Sequence, residues 1–156
     1  MYDVGDGVRE NQSEAVKWYR KAAEQGYAPA QDNLGTKYDY GSGVQQDFKE
    51  AAKWYRKAAN QDHAPAQYHL GNLYRNAQGV PRDYEEAMKW FREAAKQGHA
   101  HAQNNIGFLY ASGLGVRKDQ NEAEKWFQKA AAQGQKEAKQ NLKLKSNFKF
   151  SSSHQL

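Results

Sequence analysis

Apolar residues recur along this chain at helical spacing, and the whole pattern restarts every 36 residues. Trp18, Trp54, Trp90 and Trp126 mark the period. Gly7-Val8, Gly43-Val44, Gly79-Val80 and Gly115-Val116 keep the same register, as do Ala22-Ala23, Ala58-Ala59, Ala94-Ala95 and Ala130-Ala131. A period of this size is the signature of stacked helical repeats, because one unit cannot bury its apolar face alone. Each unit divides into two helices. The first is predicted over 64–76, with Ala66, Leu70, Gly71, Leu73 and Tyr74 forming its buried stripe. Gly35, Gly71 and Gly107 sit inside this helix, at a cost of about 1 kcal/mol each relative to Ala. Close approach of the partner helix is the expected compensation.

The second helix carries a start signal in every copy. Asn11, Asp47, Asp83 and Asp119 are each followed three residues later by Glu14, Glu50, Glu86 and Glu122, the pattern of a reciprocal capping box. Ala51, Trp54, Tyr55 and Ala58 then share one face, while Lys49, Glu50, Lys53, Arg56 and Lys57 take the other, expected to face solvent. Gly26, Gly98 and Gly134 follow this helix where a left-handed cap is expected, but one copy has Asp62 there. In the turn between helices, Gly5, Gly41 and Gly113 have Ala77 as their counterpart. Both departures fall within or beside the copy at 64–98 and predict local strain or reshaping.

Composition narrows the picture. A chain of 156 residues has room for one domain. The apolar fraction is 38%, but 4 Trp, 10 Tyr and 6 Phe let aromatic bodies supply much of the core. No stretch approaches the 18 or so apolar residues of a membrane helix, and the N-terminus lacks the basic and apolar regions of a signal peptide. The chain therefore reads as soluble, with cytoplasm and periplasm both open. The absence of cysteine removes disulfides, thiolate chemistry and cysteine-held zinc. Residues 136–156 hold five lysines and one glutamate, so +4 of the net +5 lies there and the repeats are nearly neutral. Such a body is a poor phosphate-binding surface.

The motif Ala66-Gln67, Leu70-Gly71, Tyr74, Gly79-Val80, Asp83, Ala87, Trp90-Phe91, Ala94-Ala95 and Gly98 resembles the Sel1-like repeat, a relative of the tetratricopeptide repeat. The resemblance covers about residues 1–142. It implies an all-α fold, a right-handed α/α solenoid of antiparallel helix pairs, used in that family as an adaptor for protein partners. The expected organisation is a partial repeat over 1–27, full repeats over about 28–63, 64–99 and 100–135, a capping helix over about 136–147 and a disordered tail over 148–156. Met1-Tyr2 aligns with Lys37-Tyr38, so the reading expects a lone second helix at about 11–25, before three pairs, and a shortened or partial array.

In tetratricopeptide-like stacks the first helices line the concave groove. Positions facing away from the Leu-Gly-Tyr stripe are Asp32, Thr36 and Asp39 in one copy, Tyr68, Asn72 and Arg75 in the next, and Asn104, Phe108 and Ala111 in the third. These positions differ between copies, so a ligand preference can be written there. Tyr68 and Phe108 offer rigid contact area, Asn72 can bond a peptide backbone, and Arg75 can grip a carboxylate. The expected function is a non-enzymatic scaffold that binds a protein or peptide, with no cofactor. The strict period of the tryptophans assigns them to the core rather than to a ligand.

Other chemistries fit the sequence less well. Some cysteine-rich Sel1-like proteins are associated with penicillin binding or β-lactamase activity, and Ser146-Asn-Phe-Lys149 matches Ser-x-x-Lys. It lies in the basic tail and lacks the Ser-Asp-Asn and Lys-Thr-Gly partners of such enzymes. His63, His99 and His101 lie in or beside turns without the His-Glu-x-x-His spacing of a zinc site, so no metal is expected. The Gly-x-Gly-Val turns lack the Lys-Ser/Thr of a phosphate loop. Phe148 and Phe150 alternate with Lys149, a short basic-aromatic run. A solvated capping helix explains it more simply than a nucleic-acid or membrane contact.

Overall fold

The structure, a computed structural model, describes the backbone of residues 4–152 and the side chains of residues 11–144. Among the described residues there are eight helices and no strand: α1 (Val4–Glu24), α2 (Ala28–Tyr40), α3 (Phe48–Ala59), α4 (Ala64–Asn76), α5 (Tyr84–Lys96), α6 (Ala100–Ser112), α7 (Gln120–Ala132) and α8 (Lys136–Ser152). They fall into two compact units, Met1–Asp83 with α1 to α4 and Tyr84–Leu156 with α5 to α8.

In the first unit α2 packs between α1 and α3, and α3 packs on α4. Gly35 explains how closely α2 and α3 meet, since a Cβ on it would lie 2.6 Å from the Tyr55 ring. Val16 and Ala23 of α1, Ala30 and Leu34 of α2, and Trp54 of α3 form one buried cluster. Gln31, buried with them, donates from Nε2 to the Ala23 carbonyl at 3.1 Å and accepts from Gln61 Nε2 at 2.8 Å. The Gln of the Ala-Gln motif thus satisfies a carbonyl in the last turn of the preceding helix, one of the groups that a helix end leaves unpaired. Gln67 does the same for Ala59 at 3.3 Å. Arg20 donates to the Tyr38 hydroxyl, and Arg56 to that of Tyr74 at 2.6 Å, tying each second helix to the next first helix.

The second unit repeats this construction. α6 packs on α5 and α7, and α7 on α8. A Cβ on Gly107 would lie 2.7 Å from the Phe127 ring. Ala123, Phe127, Ala130 and Ala138 form its buried cluster, and Arg92 donates to the Tyr110 hydroxyl at 2.7 Å.

The capping boxes form only by half. Asp47 accepts from the N–H groups of Lys49 at 2.9 Å and Glu50 at 3.0 Å, and Asp119 accepts likewise from Asn121 and Glu122. The reciprocal bond is absent because the Asp47 N–H already donates to the Tyr38 carbonyl at 2.9 Å, and the Asp119 N–H to that of Tyr110 at 3.0 Å. Glu50 and Glu122 pair instead with Lys53 and Lys125, three residues on. Asn11 caps nothing, since α1 begins at Val4 and runs through the Gly5–Val8 segment expected to be a turn. The later turns are braced by contacts with the preceding copy. Gly79, for example, is so close to the preceding copy that a Cβ would lie 2.3 Å from the Phe48 backbone.

The tryptophans also divide. Trp54 and Trp90 are 4% and 8% exposed, Trp126 is half-buried, and Trp18 is 64% exposed with Lys21 over its ring. Trp54 is buried in one cluster with Val16 and Ala23 of the preceding copy. Asp62 and Ala77 do not reshape the chain. They adopt φ of 59° and 57°, the left-handed conformation that glycine takes at the equivalent positions. The helix α8 continues through 148–152, placed by the sequence reading in a disordered tail; residues 153–156 lie outside the described residues. So do the side chains of Ser146, Phe148, Lys149 and Phe150.

Candidate functional site

In the first unit the candidate residues of α2 and α4 fall into two groups. Thr36, Asp39, Tyr68, Asn72 and Arg75 are half-buried, leaving part of each side chain accessible. Asp32, expected on the groove surface, is instead buried at 7% exposure. Its Oδ1 lies 2.9 Å from His69 Nδ1 and its Oδ2 lies 3.5 Å from His63 Nε2. An ionised carboxylate only accepts, so the His69 Nδ1 carries the hydrogen. The His69 ring is tilted against Tyr55 at 4.8 Å and against Tyr68 at 5.5 Å.

Tyr55 links this pair to the rest of α2. Its hydroxyl donates to Asp39 Oδ2 at 3.1 Å and lies 3.3 Å from Thr36 Oγ1. Burial pushes the Asp39 carboxyl above its ordinary range, against the opposing pull of the Tyr55 hydrogen bond and the His69 charge. Burial likewise drives the Tyr55 hydroxyl far above its ordinary value, with the Asp39 and Asp32 carboxylates adding to the effect and the Thr36 hydrogen bond opposing it. Tyr55 is therefore a fixed neutral donor.

In the second unit Asn104 is half-buried and accepts from Asn141 Nδ2 at 3.1 Å. Phe108 is 45% exposed. It borders a cleft between α6, α7 and α8 that Ala111, Phe127 and Leu142 also line.

His69, Tyr55, Phe127 and Asn141 were not identified from the sequence as part of these surfaces. A signal for two of them exists. His69 follows Asp32 by 37 residues and Asn141 follows Asn104 by 37, so side chains one residue beyond the repeat period meet across neighbouring first helices. Among the described residues, no three His, Cys, Asp or Glu side chains gather to hold a metal ion, and no helix is long and apolar enough to cross a membrane.

Paired helices, a 36-residue period and side-chain bonds that recur at fixed offsets define an α/α repeat protein of the solenoid class. The Sel1 repeat family model matches residues 1–27, 28–63, 64–99 and 100–135, and the chain belongs to that family. It is similar to c5321 of uropathogenic Escherichia coli, a protective antigen with an SLR fold. The two are 40% identical with a TM-score of 0.79, over 81% of this chain and 27% of that one. A Sel1 repeat protein from Oxalobacter formigenes is 45% identical with a TM-score of 0.78, over 81% of this chain and 50% of that one. This chain thus spans half or less of the length of both. Helicobacter pylori cysteine rich protein B, 22% identical over 84% of this chain and 94% of that one, shares the fold with a TM-score of 0.66. No curated protein matches the chain significantly.

Proposed function

We propose that this protein is a non-enzymatic scaffold that binds a protein or peptide along the exposed face of its first-type helices. Sel1 repeat proteins generally act as protein-interaction scaffolds. The observation that carries the reading is a division of labour between positions. Leu34, Leu70 and Ile106, equivalent in the repeat, are fully buried, while Thr36, Asn72 and Phe108, equivalent two residues on, differ in chemistry and keep accessible surface. The first set builds the scaffold, and the second varies in a way that can suit a partner. Tyr68, Asn72 and Arg75 on α4, with Thr36 and Asp39 on α2, form the candidate surface of the first unit. Asn104 and Phe108 form that of the second. Asp32 acts from beneath by holding His69.

The test is co-purification with partners identified by mass spectrometry, repeated with the double variant Tyr68→Ala, Arg75→Ala. A folded variant, checked by circular dichroism, is expected to lose at least one partner. Unchanged recovery of every partner would remove α4 from the site. A mass shift at Ser146 after incubation with a penicillin-type substrate would replace the scaffold reading with a hydrolase.

A further inference from the structure

Around Tyr55 the polar side chains of α2 and α4 have spent their hydrogens inside the protein. The Thr36 hydroxyl donates to the Asp32 carbonyl at 3.1 Å, the Tyr55 hydroxyl to Asp39 Oδ2 at 3.1 Å, and the His69 Nδ1–H to Asp32 Oδ1 at 2.9 Å. What remains is acceptor capacity. A neutral imidazole that donates from Nδ1 keeps a lone pair on Nε2, and Asp39 Oδ1 accepts no bond among the described residues. Asp39 also stands apart in lacking a cation. Glu14, Glu50, Glu86, Glu93 and Glu122 each pair with the lysine three residues on, and Asp32 lies against two histidines. Asp39 forms no ion pair among the described residues, and Lys37, two residues before it, donates to Ser42 instead. Asp39 is half-buried and its neighbour Tyr40 is 74% exposed, so the carboxylate is within reach of a molecule docking on this part of α2.

We propose that Asp39 receives the guanidinium of an arginine from a peptide segment of a partner. The proposal rests on the scaffold reading above and specifies the partner's chemistry at the first unit. An anionic spot whose own donors are used calls for a cation that brings donors with it. Arginine brings five N–H groups in one plane, matched to a carboxylate, where lysine brings a point charge. The Tyr55 hydroxyl already fixes the carboxylate, so pairing costs little further ordering of this side chain. Burial disfavours the charge while it stands alone, and an opposite charge beside it acts against that penalty. The equivalent residues of the next copies are Arg75 and Ala111, so the carboxylate belongs to α2 in particular and is not a requirement of the repeat.

The test selects random twelve-residue peptides by display on the whole immobilised chain. Selected sequences are then made synthetically, each also with its arginines replaced one at a time by citrulline, which keeps the shape but loses the charge, and by lysine. Affinities are measured for wild type, Asp39→Asn and the Tyr68→Ala, Arg75→Ala double variant. Asp39→Asn keeps an oxygen for the Tyr55 hydroxyl, so the fold persists, and circular dichroism checks every variant. Peptides are expected to share one arginine. Its change to citrulline should weaken binding to wild type about tenfold or more and leave binding to Asp39→Asn unchanged, because both changes remove the same interaction. Lysine at that place should recover only part of the affinity. Peptides without a shared arginine, losses from citrulline and from Asp39→Asn that simply add, or full recovery by lysine would overturn the proposal. If the double variant alone loses the peptides, the scaffold reading survives on α4 while the Asp39 assignment fails. Failure to select any peptide also overturns the assignment, and the co-purification experiment then judges the scaffold independently.

Discussion

His69 Nδ1 and Asp32 Oδ1 lie 2.9 Å apart across the seam between two first-type helices, and the Tyr55 ring flanks the imidazole. This contact converts a candidate binding carboxylate into a support. Asp32 is buried, and an unsatisfied buried polar group costs about 1–3 kcal/mol, more when charged.

His69→Ala is therefore expected to destabilise the chain by about 1–3 kcal/mol, because Asp32 keeps only the longer contact to His63. His69→Asn introduces the amide that Asn141 uses at the equivalent place and should recover part of the loss. Urea unfolding of the three proteins decides the matter. Equal midpoints for wild type and His69→Ala would mean that the seam contact contributes nothing.

The tryptophans provide a comparison of identical residues in different settings. Trp54→Ala should cost about 3–5 kcal/mol, as expected for emptying a core site. Trp18, exposed with Lys21 over its ring, should cost about 1 kcal/mol or less when changed to Ala, the scale of a surface cation–π contact. Thermal unfolding of the two variants is the measurement. A similar fall in both would show that Trp18 is covered in solution.

These cases mark what could be read from sequence. The helices, the stripe of Leu34 and Leu70, and the close approach at Gly35 follow from periodicity, because a repeated residue reports a repeated environment. Trp18 breaks that rule, since its pattern is periodic but its neighbours are not. Asp32 was misplaced for a different reason: His69, which pairs with it, comes from the next copy at an offset of 37 rather than 36. The capping glutamates failed by competition. The backbone N–H that Glu50 was to accept already serves the Tyr38 carbonyl, a tertiary bond that no local motif reveals.

Ala77 ends α4 with φ 57° and ψ 43°, where Gly41 and Gly113 end α2 and α6. A left-handed residue with a Cβ costs about 1–2 kcal/mol, offset partly by the extra freedom that glycine loses on folding. Ala77→Gly should therefore stabilise the chain by about 0.5–1 kcal/mol, and Ala77→Val should destabilise it. Chemical unfolding of both gives the answer, and a destabilising glycine would show that the Ala77 side chain contributes more than its backbone strain costs.

Asp39 links stability to pH in a direction opposite to that of most paired carboxylates. Burial raises its pKa above the ordinary 3.8, so between that value and the raised one the folded chain binds more protons than the unfolded chain. Stability contributed at this site is fully present below the ordinary value and is lost as pH rises through the folded one. Asp39→Asn keeps an oxygen to accept from Tyr55 but cannot ionise. The variant should thus gain stability relative to wild type as pH rises from about 3.5 toward 7, with the difference levelling off once Asp39 is fully ionised in the folded protein. Paired urea melts across that range test this. An advantage that shrinks with rising pH would mean that the charged hydrogen bond to Tyr55 outweighs desolvation, and that Asp39 is a stabilising anion of the α2 face rather than a strained one.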